Sequence, residues 1–353
     1  MTRIAILSFA HYHANFWAEA FLAEPDVALT AIWDDVEARG REAADRFGVP
    51  FVASLRGAVE AADAVAVCSE NSRHVELVEI ATSAGKPILC EKPIAATLEQ
   101  ADRIVDAVAA SGVLFMQSFP KRLDPISHEL KDTIESGRLG RIHFVRIRHG
   151  HYYGLAGDFR DQWYVDPELG GGGALLDEGI HAADLLCWLF GMPESVVATT
   201  ANVLEGLRVE DGASALYTYA DGMTAEITAS FLFAAADTSI EVYGTHGTVL
   251  ISGVDLASRD ITEGGFMRSY TDGQDERRWV THNVVPSFKL GQFHHKNAIV
   301  FAQCLKGQRK PSATAEDGRN ALLLISRAYD AARIGVRQTV RQAKLSPLAE
   351  DHR

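Results

Sequence analysis

The chain has 353 residues, carries a formal net charge of -13, and is 47% hydrophobic and 23% charged. This length exceeds what one ordinary hydrophobic core accommodates, so the sequence predicts a soluble protein of two domains. Its acidity and the absence of a basic run argue against nucleic-acid or anionic-membrane partners, because both bind clustered lysine and arginine.

The first 120 residues alternate short apolar runs with amphipathic stretches. Continuous apolar strands alternating with helices are typical of a parallel sheet covered on both faces. We therefore predict a doubly wound Rossmann domain over 1–120. The predicted strands are 3–7, 27–33, 64–68, 87–90 and 113–117, and the predicted helices cover about 13–24, 36–47, 73–84 and 98–110.

After residue 120 the pattern changes to successive strands with short Gly or Asp turns, which predicts an antiparallel sheet. We assign 121–340 to a second α/β domain that binds substrate, and 341–353 to a polar tail. The predicted strands are 141–150, 196–206, 212–220, 223–232, 237–244 and 247–252. The predicted helices are 125–136, 173–190, 289–306 and 316–335.

The cysteines and the N-terminus favour a cytoplasmic location. Four scattered cysteines in apolar stretches indicate buried thiols in a reducing compartment. The chain runs directly into a strand without a signal-peptide pattern, and no apolar run reaches the roughly 18 residues that span a bilayer. We expect neither a membrane nor a nucleic-acid partner.

The first turn is the expected position of a dinucleotide-binding loop, but its glycines are missing. Where G-x-G-x-x-G would stand, the chain has the segment 8–13, in which Ser8, Phe9, Ala10 and His13 are the candidate cofactor contacts. Ser8 and Ala10 are small, and a helix N-terminus binds pyrophosphate whatever its side chains. The alternative is a doubly wound domain that has lost its dinucleotide.

Asp34 ends the second predicted strand, where a carboxylate accepts hydrogen bonds from an adenosine ribose. This acid favours NAD, because it would repel the 2′-phosphate of NADP. Arg39 leaves NADP possible.

His11 and His13 form an H-x-H pair that is able to ligate a metal ion. Two histidines alone rarely make a metal site, however. We therefore expect no metal.

The loop after the third strand lies at the carboxyl edge of the sheet, where ligands bind in this fold class. Ser69, Asn71 and His74 are therefore candidate cofactor contacts. Ser69 and Asn71 have a second interpretation, as helix caps.

Lys92 follows the fourth strand directly, and Pro93 fixes the turn after it. An ammonium at this edge would hydrogen-bond a substrate hydroxyl and favour its alkoxide. Glu91 and Lys92 also belong to the candidate cofactor contacts. The alternative is a surface lysine paired with Glu91.

Four glycines, 170–173, precede a predicted helix that carries Asp177 and His181. The glycines permit close approach of the backbone to a ligand or to the sheet edge. Residues four apart point the same way on a helix, so we expect Asp177 to orient His181 as a general base. An Asp–His pair on a helix surface is the alternative, and a zinc site lacks a third ligand at a recognisable spacing.

Three segments together resemble the Gfo/Idh/MocA family of NAD(P)-dependent sugar and polyol oxidoreductases. They are DAVAVCSENSRHVELVEIATSAGKPILCEKPIAAT (63–97), SGRLGRIHFVRIR (136–148) and GGGGALLDEGIHAADLLCWLFG (170–191). The likeness runs over about residues 3–335. It departs in the first loop, where the family normally keeps its glycines, and at Glu70, where proline is usual.

The resemblance implies a Rossmann domain and a second domain with an open, largely antiparallel sheet that forms dimer or tetramer contacts. It implies that Lys92, Asp177 and His181 form the catalytic set, with the loop around Asn71 on the nicotinamide side.

We therefore expect an enzyme that transfers hydride between NAD(P) and a secondary alcohol of a sugar, inositol or related polyol. A redox-neutral lyase or glycosidase with transient nicotinamide use, and a non-catalytic nucleotide- or sugar-binding regulator, are the alternatives. Candidate substrate contacts are polar or aromatic residues in loops of the second domain, namely Arg122, His151, Tyr153, Arg160 and Trp163.

Overall fold

The structure is a computed structural model and describes residues 1–234, 238–252, 264–272, 278–286 and 292–340. The tail proposed for 341–353 and the start of the helix predicted from 289 lie outside the described residues. Within these ranges, no helix is both long enough and apolar enough to cross a membrane.

Five parallel strands form the first sheet, in the order β2-β1-β3-β4-β5, which confirms the predicted Rossmann-type sheet. A short helix, α3, was not predicted. The strands are β1 (Thr2–Leu7), β2 (Val27–Trp33), β3 (Ala64–Val67), β4 (Ile88–Cys90) and β5 (Phe115–Gln117). The helices are α1 (His13–Ala23), α2 (Glu37–Phe47), α3 (Leu55–Glu60), α4 (His74–Ser83) and α5 (Leu98–Ser111).

The order of these strands determines where a ligand binds. Strands β3 and β4 are buried along their whole length, as expected for a sheet covered on both faces. Strand β2 is added on one side of β1, and β3 to β5 are added on the other side. At this reversal of strand order, the loops that follow β1, β3 and β4 meet at one edge of the sheet.

The second sheet has nine described strands, in the order β13-β12-β11-β10-β6-β9-β8-β7-β14. Only β6 and β9 pair in parallel among these strands, which confirms a largely antiparallel sheet. The strands are β6 (Ile142–Gly150), β7 (Ser195–Ala201), β8 (Gly212–Thr218), β9 (Thr224–Ser230), β10 (Thr238–Gly244), β11 (Gly247–Ile251), β12 (Met267–Thr271), β13 (Trp279–His282) and β14 (Gln338–Thr339). The last three were not predicted, because they are short and contain few apolar residues.

The second half of the chain also contributes helices. They are α6 (Pro125–Glu135), α7 (Ala174–Asp177), α8 (Gly179–Phe190), α9 (Gln292–Leu305) and α10 (Ala315–Ile334). Helices α8 and α10 pack together, and α10 lies against β7. Helix α9 instead packs on α1, where Phe301 joins Trp17 and Phe21 in one apolar cluster. Helix α9, from the second half of the chain, thus extends the apolar core of the first domain.

Arg122 joins three elements through a buried ion pair. It lies in a short 3-10 turn after β5, and its Nη2 is 2.7 Å from Asp184 Oδ1 and 3.1 Å from Asp317 Oδ1. Its Nη1 donates to the Ser312 carbonyl. These partners occupy its guanidinium, and Arg122 is not among the residues that line the cavity described below. Its contact with substrate stays a prediction.

Replacing Arg122 with alanine should lower the free energy of unfolding by about 3–5 kcal/mol, because Asp184 would remain buried without its counter-ion. Burial already raises the pKa of Asp184 to about 6 despite the arginine. Urea-induced unfolding measures the change. Arg103→Ala is the control, since it removes an exposed pair with Glu79 and should cost at most about 1 kcal/mol. Equal losses for both variants would contradict this account.

Candidate active site

A cavity of about 230 Å³ opens at the carboxyl edge of the first sheet, beneath loops of the second domain. Lys92, Asp177 and His181 all line it. Including His181, six of the chain's 13 histidines line the cavity, which makes the lining rich in imidazole and aromatic rings. The lining residues are His11, Tyr12, His13, Phe16, Lys92, Pro120, Lys121, His149, His151, Tyr153, Tyr164, Asp177, Glu178, His181, Thr238, Phe293 and His294.

The Lys92 ammonium is buried and paired with Asp177. Its Nζ donates to Asp177 Oδ1 at 2.6 Å and to the Asp177 carbonyl at 3.2 Å. Burial lowers the pKa of Lys92, but Asp177, Glu178 and Glu91 outweigh it and raise the pKa above its ordinary value. The alternative of a solvated surface lysine is therefore excluded, and the side chain presents a stable cation to the cavity.

Asp177 occupies a different position from the predicted one. The helix predicted over 173–190 is interrupted at Glu178, which separates α7 from α8. The spacing of four residues from Asp177 to His181 therefore crosses a break, and the carboxylate pairs with Lys92 instead of the imidazole. Burial raises the pKa of Asp177 although Lys92 opposes this shift. The prediction that Asp177 orients His181 is wrong, because a continuous helix is required for that contact.

His181 lies 7% exposed on α8, beside a second group of histidines. Its Nδ1 has no hydrogen-bond partner among the described residues. Burial, and then the neighbouring His149 and Lys92, lower the pKa of His181 well below its ordinary value. The imidazole is therefore neutral near pH 7 and able to accept a proton.

Glu178, which was not predicted as a site residue, anchors this group. Its carboxylate accepts from His149 Nδ1 at 2.9 Å and approaches His151 Nε2 at 3.1 Å. Burial alone would raise the pKa of Glu178, but His151 and His149 hold it well below its ordinary value. Burial lowers the pKa of His149 to about 4, so His149 is a neutral donor to Glu178. His149 in turn lies against His181, with ring centroids 4.8 Å apart.

Tyrosines form the aromatic side of the cavity. Tyr153 stacks on His151 with ring centroids 4.6 Å apart and lies close to Tyr12. Tyr164 lines the cavity too, and burial raises its pKa above its ordinary value. The predicted substrate contacts His151 and Tyr153 are thus at the cavity, whereas Tyr12 and Tyr164 were missed.

Two other predicted substrate contacts lie outside this lining. Arg160 is exposed and borders a separate shallow depression. Trp163 donates its indole N–H to the Ala10 carbonyl at 2.9 Å, so it ties the second domain to the first loop. The exposed position of Arg160 gives its predicted role no support, and that role stays a prediction.

The first loop keeps the backbone turn of a glycine loop without glycine. Ser8 adopts φ = 76°, the left-handed conformation that usually requires glycine. Its hydroxyl accepts from the Ala10 N–H at 3.1 Å, and the Phe9 N–H donates to Asp34 at 2.8 Å. The loop therefore retains a conformation that fits a dinucleotide at this turn.

Asp34 is buried at the end of β2, but its oxygens already have donors. Arg39 Nε lies 2.9 Å from Asp34 Oδ2, and its Nη2 lies 3.1 Å from Asp35 and 3.3 Å from Glu70. Arg73 also contacts Asp35 at 2.6 Å. Three carboxylates thus surround two guanidinium groups, which leaves this end of the cleft with an excess of negative charge.

The loop after β3 is engaged with the protein itself. Asn71 Nδ2 donates to the Gly170 carbonyl at 2.8 Å, and the Ser69 hydroxyl donates to the Glu70 carbonyl. Both ring nitrogens of His74 contact backbone carbonyls, those of Pro93 and Ser69. His74 therefore connects the loops after β3 and β4, and its contact with the cofactor stays a prediction.

The glycine run packs against backbone. Gly171 has φ = 89°, and an added Cβ would lie 2.6 Å from the Ala96 carbonyl oxygen. The N–H groups of Gly173 and Leu175 donate to the Glu210 carboxylate at 3.1 and 2.9 Å. Close packing of this kind holds α7, and hence Asp177, at the cavity.

His13 and Glu91 lie deeper than predicted. Glu91 is 0% exposed and His13 is 4% exposed, with His13 Nδ1 at 3.2 Å from Glu91 Oε1. Glu91 is not among the residues that line the cavity, and its contact with a cofactor stays a prediction.

Glu178, His149 and His294 were the main residues that the sequence did not reveal. His149 carried a signal, since it precedes His151 by two residues and alternate residues of a strand share a face. His294 carried none, because it reaches the cavity only through the packing of α9 on α1.

Two family models match the chain. One, described as an oxidoreductase family with an NAD-binding Rossmann fold, covers residues 3–119, and the GFO/IDH/MocA C-terminal domain covers residues 127–250. The levoglucosan dehydrogenase solved with NADH and levoglucosan has a TM-score of 0.83 at 21% identity, over 97% of this chain and 100% of that one. This likeness shows a shared fold.

Curated relatives span both domains. The 1,5-anhydro-D-fructose reductase of Ensifer adhaerens is 31% identical over 72% of this chain and 73% of its own length. The D-xylose 1-dehydrogenase (NADP+) of Haloarcula marismortui is 29% identical over 78% of this chain and 73% of its own. With its parallel and mixed sheets in this order and both family models matched, the chain belongs to the GFO/IDH/MocA family of oxidoreductases, whose first domain is an NAD-binding Rossmann fold.

Proposed function

We propose that the protein is an NAD(P)-dependent dehydrogenase acting on a secondary alcohol of a sugar, inositol or related polyol. The observation that carries this proposal is a buried Lys92 cation and a neutral His181 lining one cavity. The relatives named above act on sugars, and aromatic rings such as Tyr153 and Tyr164 suit the apolar face of a sugar ring.

Bound nicotinamide supplies the hydride acceptor or donor, and the loop 8–10 with the end of β2 would hold its dinucleotide. In the oxidative direction His181 removes the hydroxyl proton of the substrate. The Lys92 ammonium hydrogen-bonds the same oxygen and stabilises its developing negative charge. Asp177 is a positioning residue, since it fixes the lysine through the 2.6 Å contact.

The Glu178 group supports this assignment. By accepting from His149 and His151, Glu178 keeps the histidines beside His181 in place. Burial of His181 itself, and then His149 and Lys92, lower its pKa, so its imidazole is neutral and able to accept the proton.

Purified protein should reduce NAD+ in the presence of a responsive member of a sugar and polyol panel, followed by the absorbance of reduced cofactor. Lys92→Met and His181→Gln should each lower kcat/KM by about 100- to 10,000-fold, the range for loss of positioned acid–base groups. Cofactor affinity, measured by fluorescence titration, should change little in His181→Gln.

Arg160→Ala is the control, because Arg160 is exposed and lies outside the cavity. It should retain turnover. Activity that survives in both Lys92→Met and His181→Gln would refute the mechanism. Product formed without net cofactor reduction would point to the redox-neutral alternative.

The charges at the end of β2 support NAD as the preferred cofactor. The carboxylates of Asp34, Asp35 and Glu70 outnumber the guanidinium groups beside them, and a 2′-phosphate would add to this excess.

The double variant Asp35→Asn/Glu70→Gln should bind NADPH about tenfold more tightly than the wild type, which corresponds to roughly 1.4 kcal/mol. NADH affinity should change less, and both are measured by fluorescence titration. Glu37→Gln, whose exposed carboxylate pairs with Arg41 along α2, should leave both affinities unchanged. Wild-type protein that binds NADPH more tightly than NADH would contradict this prediction.

A homodimer or homotetramer formed through the second sheet is part of the proposal, as is a cytoplasmic location that suits the unpaired cysteines. On the face opposite α8 and α10, Val197 and Leu216 pair across β7 and β8 and are 37% and 39% exposed. An ion-pair row of Arg146, Glu226 and Glu241 continues from them.

Leu216→Lys should shift the protein to a smaller assembly, since a charge would be placed in the apolar part of this contact. Sedimentation velocity reports the mass. Leu22→Lys changes a leucine on α1 that is 49% exposed, against 39% for Leu216, and should leave the assembly intact. A monomeric wild type would exclude this interface.

A further inference from the structure

Four buried side chains take no part in the proposed reaction, although three of them line the cavity. His11, His13 and Glu91 each offer a ligand atom, and these three atoms lie within 4.8 Å of one another. His294, from α9, adds a third imidazole, with its ring centroid 3.4 Å from that of His13. We call these four residues the histidine cluster. Three separate stretches of the chain bring it together.

The histidine cluster contains polar atoms without partners. Both carboxylate oxygens of Glu91, His13 Nδ1 and His294 Nδ1 make no hydrogen bond to the residues that the structure describes. His13 Nδ1 does approach Glu91 Oε1 to 3.2 Å, as a charge contact without hydrogen-bond geometry. Buried polar groups are rarely left in this state, so the arrangement calls for a further occupant.

A comparison within the same cavity shows how unusual this is. The Glu178 group also combines a carboxylate with histidines, but there each carboxylate oxygen has an imidazole nitrogen within 3.1 Å. Glu178 thus has an imidazole nitrogen at each of its two oxygens. Glu91 has one such neighbour, His13 Nδ1 at Oε1, and its Oε2 makes no hydrogen bond to the described residues.

The chemistry of the histidine cluster suits a transition metal. Burial lowers the pKa of His11, His13 and His294 well below their ordinary values, so their lone pairs are free near neutral pH. His11 Nδ1 accepts only a long 3.3 Å contact from the His13 N–H, which a metal bond can replace. Imidazole with one carboxylate is a ligand set of zinc and of other divalent first-row metals.

We propose that His11, His13, Glu91 and His294 form a binding site for a divalent transition-metal ion, of which Zn²⁺ is the representative. Ligand atoms in a tetrahedral zinc site with bonds of about 2.1 Å lie roughly 3.4 Å apart. The ligand atoms of His11, His13 and Glu91 lie up to 4.8 Å apart, so side-chain rotations are needed to bring them to this spacing. His294, whose ring lies against that of His13, would rotate with them to complete the set. His11, His13 and His294 line the cavity that also holds Lys92, so the ion is reachable from it.

This site goes beyond the proposed function and does not depend on it. It also reverses the expectation of no metal, which counted only His11 and His13. The fold adds the other two ligands from β4 and α9.

Protein without a polyhistidine tag, dialysed against a chelator and then loaded with Zn²⁺, should retain one zinc per chain after gel filtration, measured by mass spectrometry of the metal. Loading with Co²⁺ should give the visible absorption of a four-coordinate site. Glu91→Gln and His294→Gln should each weaken zinc binding by more than the roughly 10- to 100-fold that loss of an outer partner costs. Competition with a chromophoric chelator measures this.

His295→Gln is the matched control, because His295 follows His294 on the same helix but pairs with Glu19. It should bind zinc like the wild type. Thermal unfolding of the metal-free proteins checks that each variant folds, and if Glu91→Gln does not fold, His294→Gln and the cobalt spectrum decide. Wild-type protein that retains no zinc, or folded His294→Gln that binds it equally well, overturns the site. If the wild-type protein retains zinc but turns over no sugar or polyol of the panel, only the proposed dehydrogenase activity is refuted.

Discussion

The ion pair between Lys92 and Asp177 is the contact on which the rest of the site depends. A buried ammonium is stable only beside a carboxylate, and here the two atoms lie 2.6 Å apart. Lys92 comes from the end of β4, whereas Asp177 comes from the last residue of α7. The glycines before α7 allow that helix to pack closely enough for the pair to form, and the break at Glu178 separates it from His181.

That break gives the two carboxylates different tasks. Asp177 holds the lysine, and Glu178, one residue later, holds His149 and His151. The cavity therefore contains both the Lys92 cation and the neutral imidazoles of His149 and His181, which is the combination that moving a proton from a carbinol oxygen requires. In one continuous helix, the side chains of Asp177 and Glu178 would point about 100° apart around the helix axis. The break at Glu178 instead lets each carboxylate take its own partners.

The first loop shows how a cofactor turn survives without glycine. Ser8 supplies the left-handed conformation, and its hydroxyl and Asp34 hold the following N–H groups. His13 stands where the third glycine of such a loop would be, and its side chain lies 3.2 Å from Glu91. The residue that replaces a glycine in this loop is therefore also a member of the histidine cluster.

The sequence alone determined the parallel and antiparallel sheets, since strand periodicity, Gly turns and helix caps are local signals. It also determined that Lys92 belongs to the sheet edge, because that edge follows from strand order. Only the tertiary structure decided that Asp177 pairs with Lys92, that Arg122 is enclosed by Asp184 and Asp317, and that His294 reaches His13. These contacts join residues 62 to 281 positions apart, and a pattern of nearby residues contains no information about which distant side chain satisfies a buried charge.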